Sequence, residues 1–417
     1  MVIQRKGHPK KRSSKEKVIQ RKGPPKKWSS KEKVIQRKDH PKKRSSKEKV
    51  YRQSFTREMV ASNWKMVETT YTVHGLTSTP STVYDDGGLV SDETRMIFQI
   101  VNFATICQAI DVFGTVTNVI NAIIFARMGF NDSVNVSLFG LAISDLGCLV
   151  TLIWLNTCFN PLFNQSDIPF EAVEIQYLTA GWPHVSFTRV TSWITAFITL
   201  ERCLCITIPL KVKLLITPKR VAGVVVLIFL IMVVVTLPVY YCNQFDWKYY
   251  PSKNRTLLGL VFTADREAIE RILFTINSVV IPFSAFFAVI ICTVVLVIKL
   301  KEKTKWRQSS TAAGKSDNVS GRDQKVARMI VMVSALFIAC FTPMTLFFVG
   351  MIVVPELSIT GKYRNIFFIC SSFSFILEST NSSLNIFIYY SMSSKYKSQF
   401  NRMFCITSQT VDGKEEL

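Results

Sequence analysis

The chain has 417 residues, is 48% hydrophobic and carries a formal charge of +22. Locating the charge resolves that pairing: residues 2–49 hold twenty Lys/Arg against four Asp/Glu, or +16 of the +22, and the rest is close to neutral and rich in Val, Ile, Leu and Phe. The basic pI therefore describes a tail, which excludes a uniformly basic nucleic-acid-binding body, and no nucleic-acid partner is expected.

The first predicted element, residues 1–50, is a tandem repeat. Its units at 2–17, 18–33 and 34–49 differ only at Gly7, Gly23 and Asp39, at His8, Pro24 and His40, and at Arg12, Trp28 and Arg44. Single nucleotide changes account for each difference, as in a young duplication. The segment has too little apolar surface to bury a core and is expected to be disordered. It reads either as a polybasic arm for anionic lipid or nucleic acid, or as a translated minisatellite preceding a true start at Met59 or Met66. No cleavable signal peptide is expected, because no apolar run precedes residue 97. Residues 51–96 form a second segment, acidic near its end at Asp85, Asp86, Asp92 and Glu93.

Crossing the hydrocarbon core takes about 20 apolar residues. Seven stretches within 97–390 meet that demand, at roughly 97–126, 135–158, 180–206, 219–241, 269–299, 325–353 and 365–390. With no water to satisfy the backbone, each must be helical, so Pro183, Pro238, Pro282 and Pro343 are expected to kink rather than break them. The predicted fold is an all-α seven-helix membrane bundle. A short amphipathic eighth helix and a tail follow in 391–417.

Loop charge predicts the threading. Lys211, Lys213, Lys219 and Arg220, then Lys299, Lys301, Lys303, Lys305 and Arg307, then Lys395, Lys397 and Arg402 fall on one side. The loop after the second stretch holds Asp167, Glu171 and Glu174 with no Lys or Arg. The positive-inside rule puts the basic loops in the cytoplasm and the amino terminus outside, as in a multi-pass plasma-membrane protein. Two sequons, at Asn164 and Asn254, then face outside and are expected glycosylation sites. Cys107, Cys148, Cys292, Cys340 and Cys370 sit in apolar runs as small hydrophobes, and no cysteine pair has metal-ligand spacing.

Charged side chains inside such stretches normally face the bundle interior. Asp145 lies in NVSLFGLAISDL, and HVSFTRVTSWITAFITLERC spans the third stretch from His184. These runs resemble rhodopsin-like G-protein-coupled receptors over about 97–405. Gly114 and Asn118 resemble the glycine-asparagine pair of helix one, and Asn135, Leu141, Ala142 and Asp145 the signature of helix two. Glu201-Arg202-Cys203 resembles the acid-Arg-Tyr triplet, followed by Ile208-Pro209-Leu210. Pro282 matches the helix-five proline, Cys340-Phe341-Thr342-Pro343 resembles Cys-Trp-x-Pro, and Asn385 to Tyr389 resembles Asn-Pro-x-x-Tyr. Phe341, Ile386 and Cys203 depart from the pattern, and helix four lacks the usual Trp. The third-helix run is further similar to chemosensory receptors of gastropod molluscs.

The resemblance implies a cell-surface receptor that binds an extracellular small chemosensory molecule or a peptide and activates a heterotrimeric G protein. It implies no enzyme activity, and membrane lipid is its surroundings. It places the ligand among His184, Thr188, Arg189, Thr275, Asn277, Phe341, Thr345 and Glu378, with Asp111 and Met344 nearby. Arg189 then either clamps a ligand carboxylate or pairs internally with Glu378. Glu201, Arg202 and Tyr389 are implied for G-protein coupling. Asn118, Asp145, Thr191, Asn381, Ser382 and Asn385 resemble the mid-membrane pocket that holds a sodium ion in that family; the alternatives are a proton with water, or a purely structural network. The family's disulfide has Tyr177 at its helix-three position, so Cys158 and Cys242 are expected to pair instead, or to remain two free thiols. Ser379 stands where an opsin-type lysine would be, so retinal is set aside. The competing class is an ion channel or transporter that uses the intramembrane charges as a path.

Overall fold

The computed structural model describes residues 89–405 except 209–211, 213–215, 252, 310–317, 355 and 358–360. The basic repeat, most of the segment that follows it, the Pro209-Leu210 pair and the tail beyond Cys405 lie outside the described residues.

Among the described residues, six helices are long and apolar enough to cross a membrane: α1 (Asp92–Met128), α2 (Ser133–Phe159), α3 (Ala172–Thr207), α4 (Pro218–Cys242), α5 (Arg266–Lys305) and α6 (Asn318–Val353, its apolar part Gln324–Met351). The seventh, α7, runs Arg364–Ser383 and resumes as Asn385–Met392; α8 is Ser394–Met403. α7 is less apolar because its inner face is polar, with Ser372, Ser379, Asn381, Ser382 and Ser383 all buried. α3 lies at the centre of the bundle, against α2, α4, α5 and α6, and α7 closes the ring against α1 and α6. The lipid-facing side of α4 shows why the bundle needs hydrocarbon: Val226, Leu230, Val234 and Leu237 are each more than half exposed.

Each helix end has a local cause. Asp132 caps α2 by accepting from Val134 N at 3.1 Å, and Ser393 caps α8 by accepting from Tyr396 N at 3.3 Å. Two prolines predicted to kink their helices are preceded by wide π-helical turns, Tyr177–Gly181 before Pro183 and Thr275–Val280 before Pro282. A proline ring crowds the carbonyl four residues back, which is Thr179 or Ser278, and the wider turn makes room for it. A third wide turn, Ile100–Cys107, lies at the same end of α1.

The break in α7 arises without the family's proline. Asn118 Nδ2 donates to the Ser382 carbonyl at 2.7 Å, and Thr117 Oγ1 reaches the Ser383 carbonyl at 3.4 Å. Phe387 N, the helix's own donor for Ser383, bonds instead to Leu384 O at 3.1 Å. Side chains of α1 thus take over carbonyls of α7, and the helix turns tighter there. The approach is close enough that a Cβ on Gly114 would lie 2.0 Å from Ser383 Oγ, so only glycine fits.

Between α4 and α5 the sequence-based reading gave only a loop; the structure has an antiparallel hairpin, β1 (Asn243–Tyr250) and β2 (Arg255–Phe262), in register Asn243↔Phe262 to Tyr250↔Arg255. The loop after α2 covers the free edge of β2. Leu258 N donates to Pro169 O at 3.0 Å, Glu171 N to Leu258 O at 2.9 Å, and Leu260 N to Glu174 Oε2 at 2.6 Å.

Replacing Asn118 by Leu leaves the Ser382 carbonyl short of a donor inside the bundle, while the Gly114 carbonyl keeps the Thr117 hydroxyl. Asn118→Leu is expected to cost about 1–2 kcal/mol, read as a lower melting temperature of the detergent-purified protein. An unchanged melting temperature would show that α7 does not depend on this capture.

Candidate ligand and signalling sites

A cavity of about 270 Å³ opens among α1, α2, α3, α5, α6 and α7 near the hairpin end of the bundle. All three wide turns contribute to its wall or flank it, through Phe103, Gly181, Trp182, Asn277 and Ser278. The predicted residues His184, Thr188, Arg189, Asn277, Phe341, Thr345 and Glu378 line it, as does Met344. Thr275 does not: it is exposed on the outside of α5 and donates to its own Arg271 carbonyl at 2.9 Å. Residues two apart on a helix point to nearly opposite sides, so Thr275 and Asn277 cannot both face inward, and Asn277 is the one that does.

Of the two readings of Arg189, the internal pair with Glu378 is not formed. Glu378 Oε2 lies 3.1 Å from His184 Nε2 instead. Among the described residues Arg189 forms no hydrogen bond or ion pair, and its buried Nε has no partner. Asp111 lies outside the cavity wall, fully buried, where it accepts from Asn156 Nδ2 at 2.9 Å.

Deeper in the bundle, the Asp145 carboxylate is fully buried and accepts three hydrogen bonds: from Thr191 at 2.9 Å, Ser382 at 3.2 Å and Asn385 at 3.0 Å. These tie α2 to α3 and to both halves of α7. Asn118 joins the network through the Ser382 carbonyl. Asn381, next to Ser382 on α7, is buried and among the described residues forms no hydrogen bond with Asp145. Among the described residues no cluster of His, Cys, Asp and Glu suits a metal that needs several such ligands. One carboxylate, the Thr191 and Ser382 hydroxyls and the unpartnered Asn385 Oδ1 make an all-oxygen set suited to a monovalent cation.

At the other end, Arg202 pairs with Glu201. Glu201 also accepts from Ser133 at 2.5 Å and from Ser137 at 3.2 Å, so the acid is held by the start of α2. One turn back, the hydroxyls of Thr199 on α3 and Ser334 on α6 meet at 2.7 Å. Tyr389 is buried against Phe125 and Tyr396, with ring centroids 5.2 and 5.6 Å away. Tyr396 donates to Asn121 Oδ1 at 2.5 Å, which fastens α8 to α1.

Comparison with known proteins agrees with this arrangement. Residues 103–407 match the family described as serpentine type 7TM GPCR chemoreceptor Srw. The chain belongs to the Srw chemoreceptor family. It is also 24% identical to the tachykinin-like peptides receptor 86C of Drosophila melanogaster over 65% of this chain and 52% of that protein. Identity is 24% to the galanin-like G-protein coupled receptor npr-9 of Caenorhabditis elegans, over 77% of this chain and 76% of that protein. For the allatostatin-A receptor of Bombyx mori it is 22%, over 71% and 78%. The chain therefore spans about half the length of the first of these and about three quarters of the other two.

This Srw member lacks the Cys158–Cys242 disulfide expected from the resemblance, since both are buried free thiols. The top of α3 is what α4 meets at this end: Tyr240 donates to Leu178 O at 3.1 Å, and Val239 packs with Tyr177 and Trp182. The Cys242 thiol lies against Val239 O and Asn243 instead. A polar knot stands at the missing bond's place. Tyr177 donates to Glu270 Oε1 at 2.6 Å, Asn243 Nδ2 to the same oxygen at 2.7 Å, and Arg266 Nε holds Oε2 at 3.1 Å. It joins α3, the base of the hairpin and α5. Both sequon asparagines lie at the hairpin end: Asn254 is exposed in the turn, while Asn164 is half-buried and contacts Lys253.

Sequence reasoning missed the aromatic wall of the cavity, including Phe103, Phe159, Phe274, Phe367, Phe368 and Phe375. A phenylalanine in an apolar helix reads equally well as lipid-facing, and only the packing separates the two. Glu270→Ala is expected to lower the melting temperature by the equivalent of about 3 kcal/mol, since Arg266, Tyr177 and Asn243 lose their shared acceptor. Asp167→Ala, which removes a surface acid that is itself 94% exposed beside Arg255, is expected to change it little. Equal effects of the two would show that the knot carries no special weight.

Proposed function

We propose that this chain is a plasma-membrane receptor that takes an extracellular ligand into the hairpin-end cavity and activates a heterotrimeric G protein at the Arg202 end. The observation that carries the reading is that the same helices bear both sites. α3 supplies His184, Thr188 and Arg189 at one end and Glu201 and Arg202 at the other. α6 supplies Phe341 and Thr345 to the cavity and Ser334 to the α3–α6 tether. Phe341 stacks on Phe337 at 4.4 Å, one turn nearer the tether. A ligand that displaces Phe341 therefore pushes on a helix fastened beside Arg202. In the proposed active arrangement α6 moves outward, the Thr199–Ser334 contact opens and Arg202 exchanges Glu201 for the G protein.

The threading follows from charge. At the hairpin end, Lys248, Lys253, Arg255 and Arg266 are each matched by a carboxylate, on Glu174, Glu171, Asp167 and Glu270. At the Arg202 end, Lys301, Lys303, Lys395 and Arg402 have no carboxylate partner among the described residues. The unmatched positive end belongs in the cytoplasm. The ligand is a small chemosensory molecule or the end of a peptide; one relative is named as a receptor for tachykinin-like peptides. A channel reading is disfavoured because Asp111, Asp145 and Glu378 are each held by separate neighbours rather than joined in a path.

Arg202→Ala is expected to abolish nucleotide exchange on a co-expressed G protein while surface expression is retained; exchange at the unmutated level would remove the proposed role. Sodium is proposed at Asp145, where these residues would supply its oxygens. Replacing choline chloride by sodium chloride is expected to raise the melting temperature of the unmutated protein and not of Asp145→Asn. A sodium response that survives in Asp145→Asn would place the ion elsewhere.

A further inference from the structure

The least satisfied charge in the cavity wall is Arg189. An ionised group withdrawn from water is costly unless it is paired and hydrogen-bonded. Among the described residues, this guanidinium has neither an ion pair nor a hydrogen bond, and it lies over no ring. Glu378 attracts it through space but shares no hydrogen bond with it, being held by His184. The space in front of Arg189 is overwhelmingly apolar, walled by rings such as Trp182, Phe274, Phe283, Phe341 and Phe375. Neutral polar groups of the wall, among them Thr188, Asn277, Ser278 and Thr345, offer hydroxyl and amide groups, and the carboxylate of the wall, Glu378, is held by His184.

We propose that Arg189 is the anchor of an anion subsite, and that the ligand is a carboxylate carried on a bulky apolar or aromatic body. For a peptide this is a free carboxyl terminus following an apolar residue. The inference rests on the functional reading above and narrows it to a chemical class. Three features support it. The planar guanidinium presents paired N–H groups that match a carboxylate two for two. The apolar wall excludes the water that would otherwise weaken that pair. The cavity, at about 270 Å³, suits one or two residues rather than a folded domain, so a chain end is what fits.

The test uses two defined probes, N-acetyl-phenylalanine and N-acetyl-phenylalaninamide, which share shape and differ in the carboxylate. Each is added at about 10 mM to the detergent-purified full chain and the melting temperature is read, since a ligand that binds only the folded state raises it. The acid is expected to stabilise the unmutated protein, with an apparent affinity about tenfold above the amide's. In Arg189→Gln the acid and the amide are expected to act alike. The comparison in unmutated protein stands even where that variant fails to fold. Equal stabilisation by both probes, an acid preference that persists in Arg189→Gln, or no stabilisation by either probe would overturn the anchor. Thr188→Trp, which fills the cavity, separates the levels of failure. Equal shifts that both vanish in Thr188→Trp overturn the anchor and leave the cavity as the binding site. Shifts that survive in Thr188→Trp overturn both.

Discussion

Hydrocarbon offers no hydrogen bonds, so a polar group inside this bundle is costly unless it finds a partner on another helix or on its own backbone. That constraint explains more of the structure than apolar packing does. Asp145 ties three segments together because its carboxylate needs several donors and only Thr191, Ser382 and Asn385 are at hand. The break in α7 has the same origin, since Asn118 and Thr117 claim carbonyls that a regular helix would use itself. The polar seam binds α1, α2, α3 and α7 into a fixed half. α5 and α6 are joined to it more by aromatic and aliphatic contact, as in the cluster of Ala196, Phe286, Val289, Phe337 and Phe341. A half held by directional bonds stands beside a half held by packing, and packed surfaces slide more readily than hydrogen-bonded ones part.

The hairpin end answers a second constraint, that of holding three helix tops without a disulfide. Glu270 gathers Tyr177, Asn243 and Arg266, and the hairpin is gripped by Glu171 of the loop after α2 and Glu174 of the first turn of α3. A buried carboxylate with three partners is directional and cooperative, but unlike a covalent bond it can open and reclose. The same end of the bundle carries the cavity.

Much of this was legible in the amino-acid order. Length and hydropathy located the seven long helices, and the family resemblance implied the roles of Asp145, Arg202 and Asn385. Spacing alone put His184, Thr188 and Arg189 on one stripe, and the resemblance implied that this stripe faces the cavity. Less could be read where partners are distant in sequence or where backbone geometry departs from the regular helix. The turn at Pro251 to Asn254 has no Asn-Gly or Asp-Gly pair to announce a hairpin. The acids that secure it come from the loop before α3, and Tyr177 meets a glutamate 93 residues away. Thr275 and Asn277 lie two apart on α5 and cannot both face the cavity, which is how Thr275 was misplaced while Asn277 was not.

The account depends on which end of the bundle meets the outside, because an inverted chain would offer the cavity to the cytoplasm and Arg202 to the exterior. The most direct measurement is epitope accessibility on intact cells, with one tag inserted in the hairpin turn at Lys253 and another appended after Leu417. The account predicts labelling of the hairpin tag without permeabilisation and of the terminal tag only after it. Labelling of the terminal tag on intact cells would contradict it.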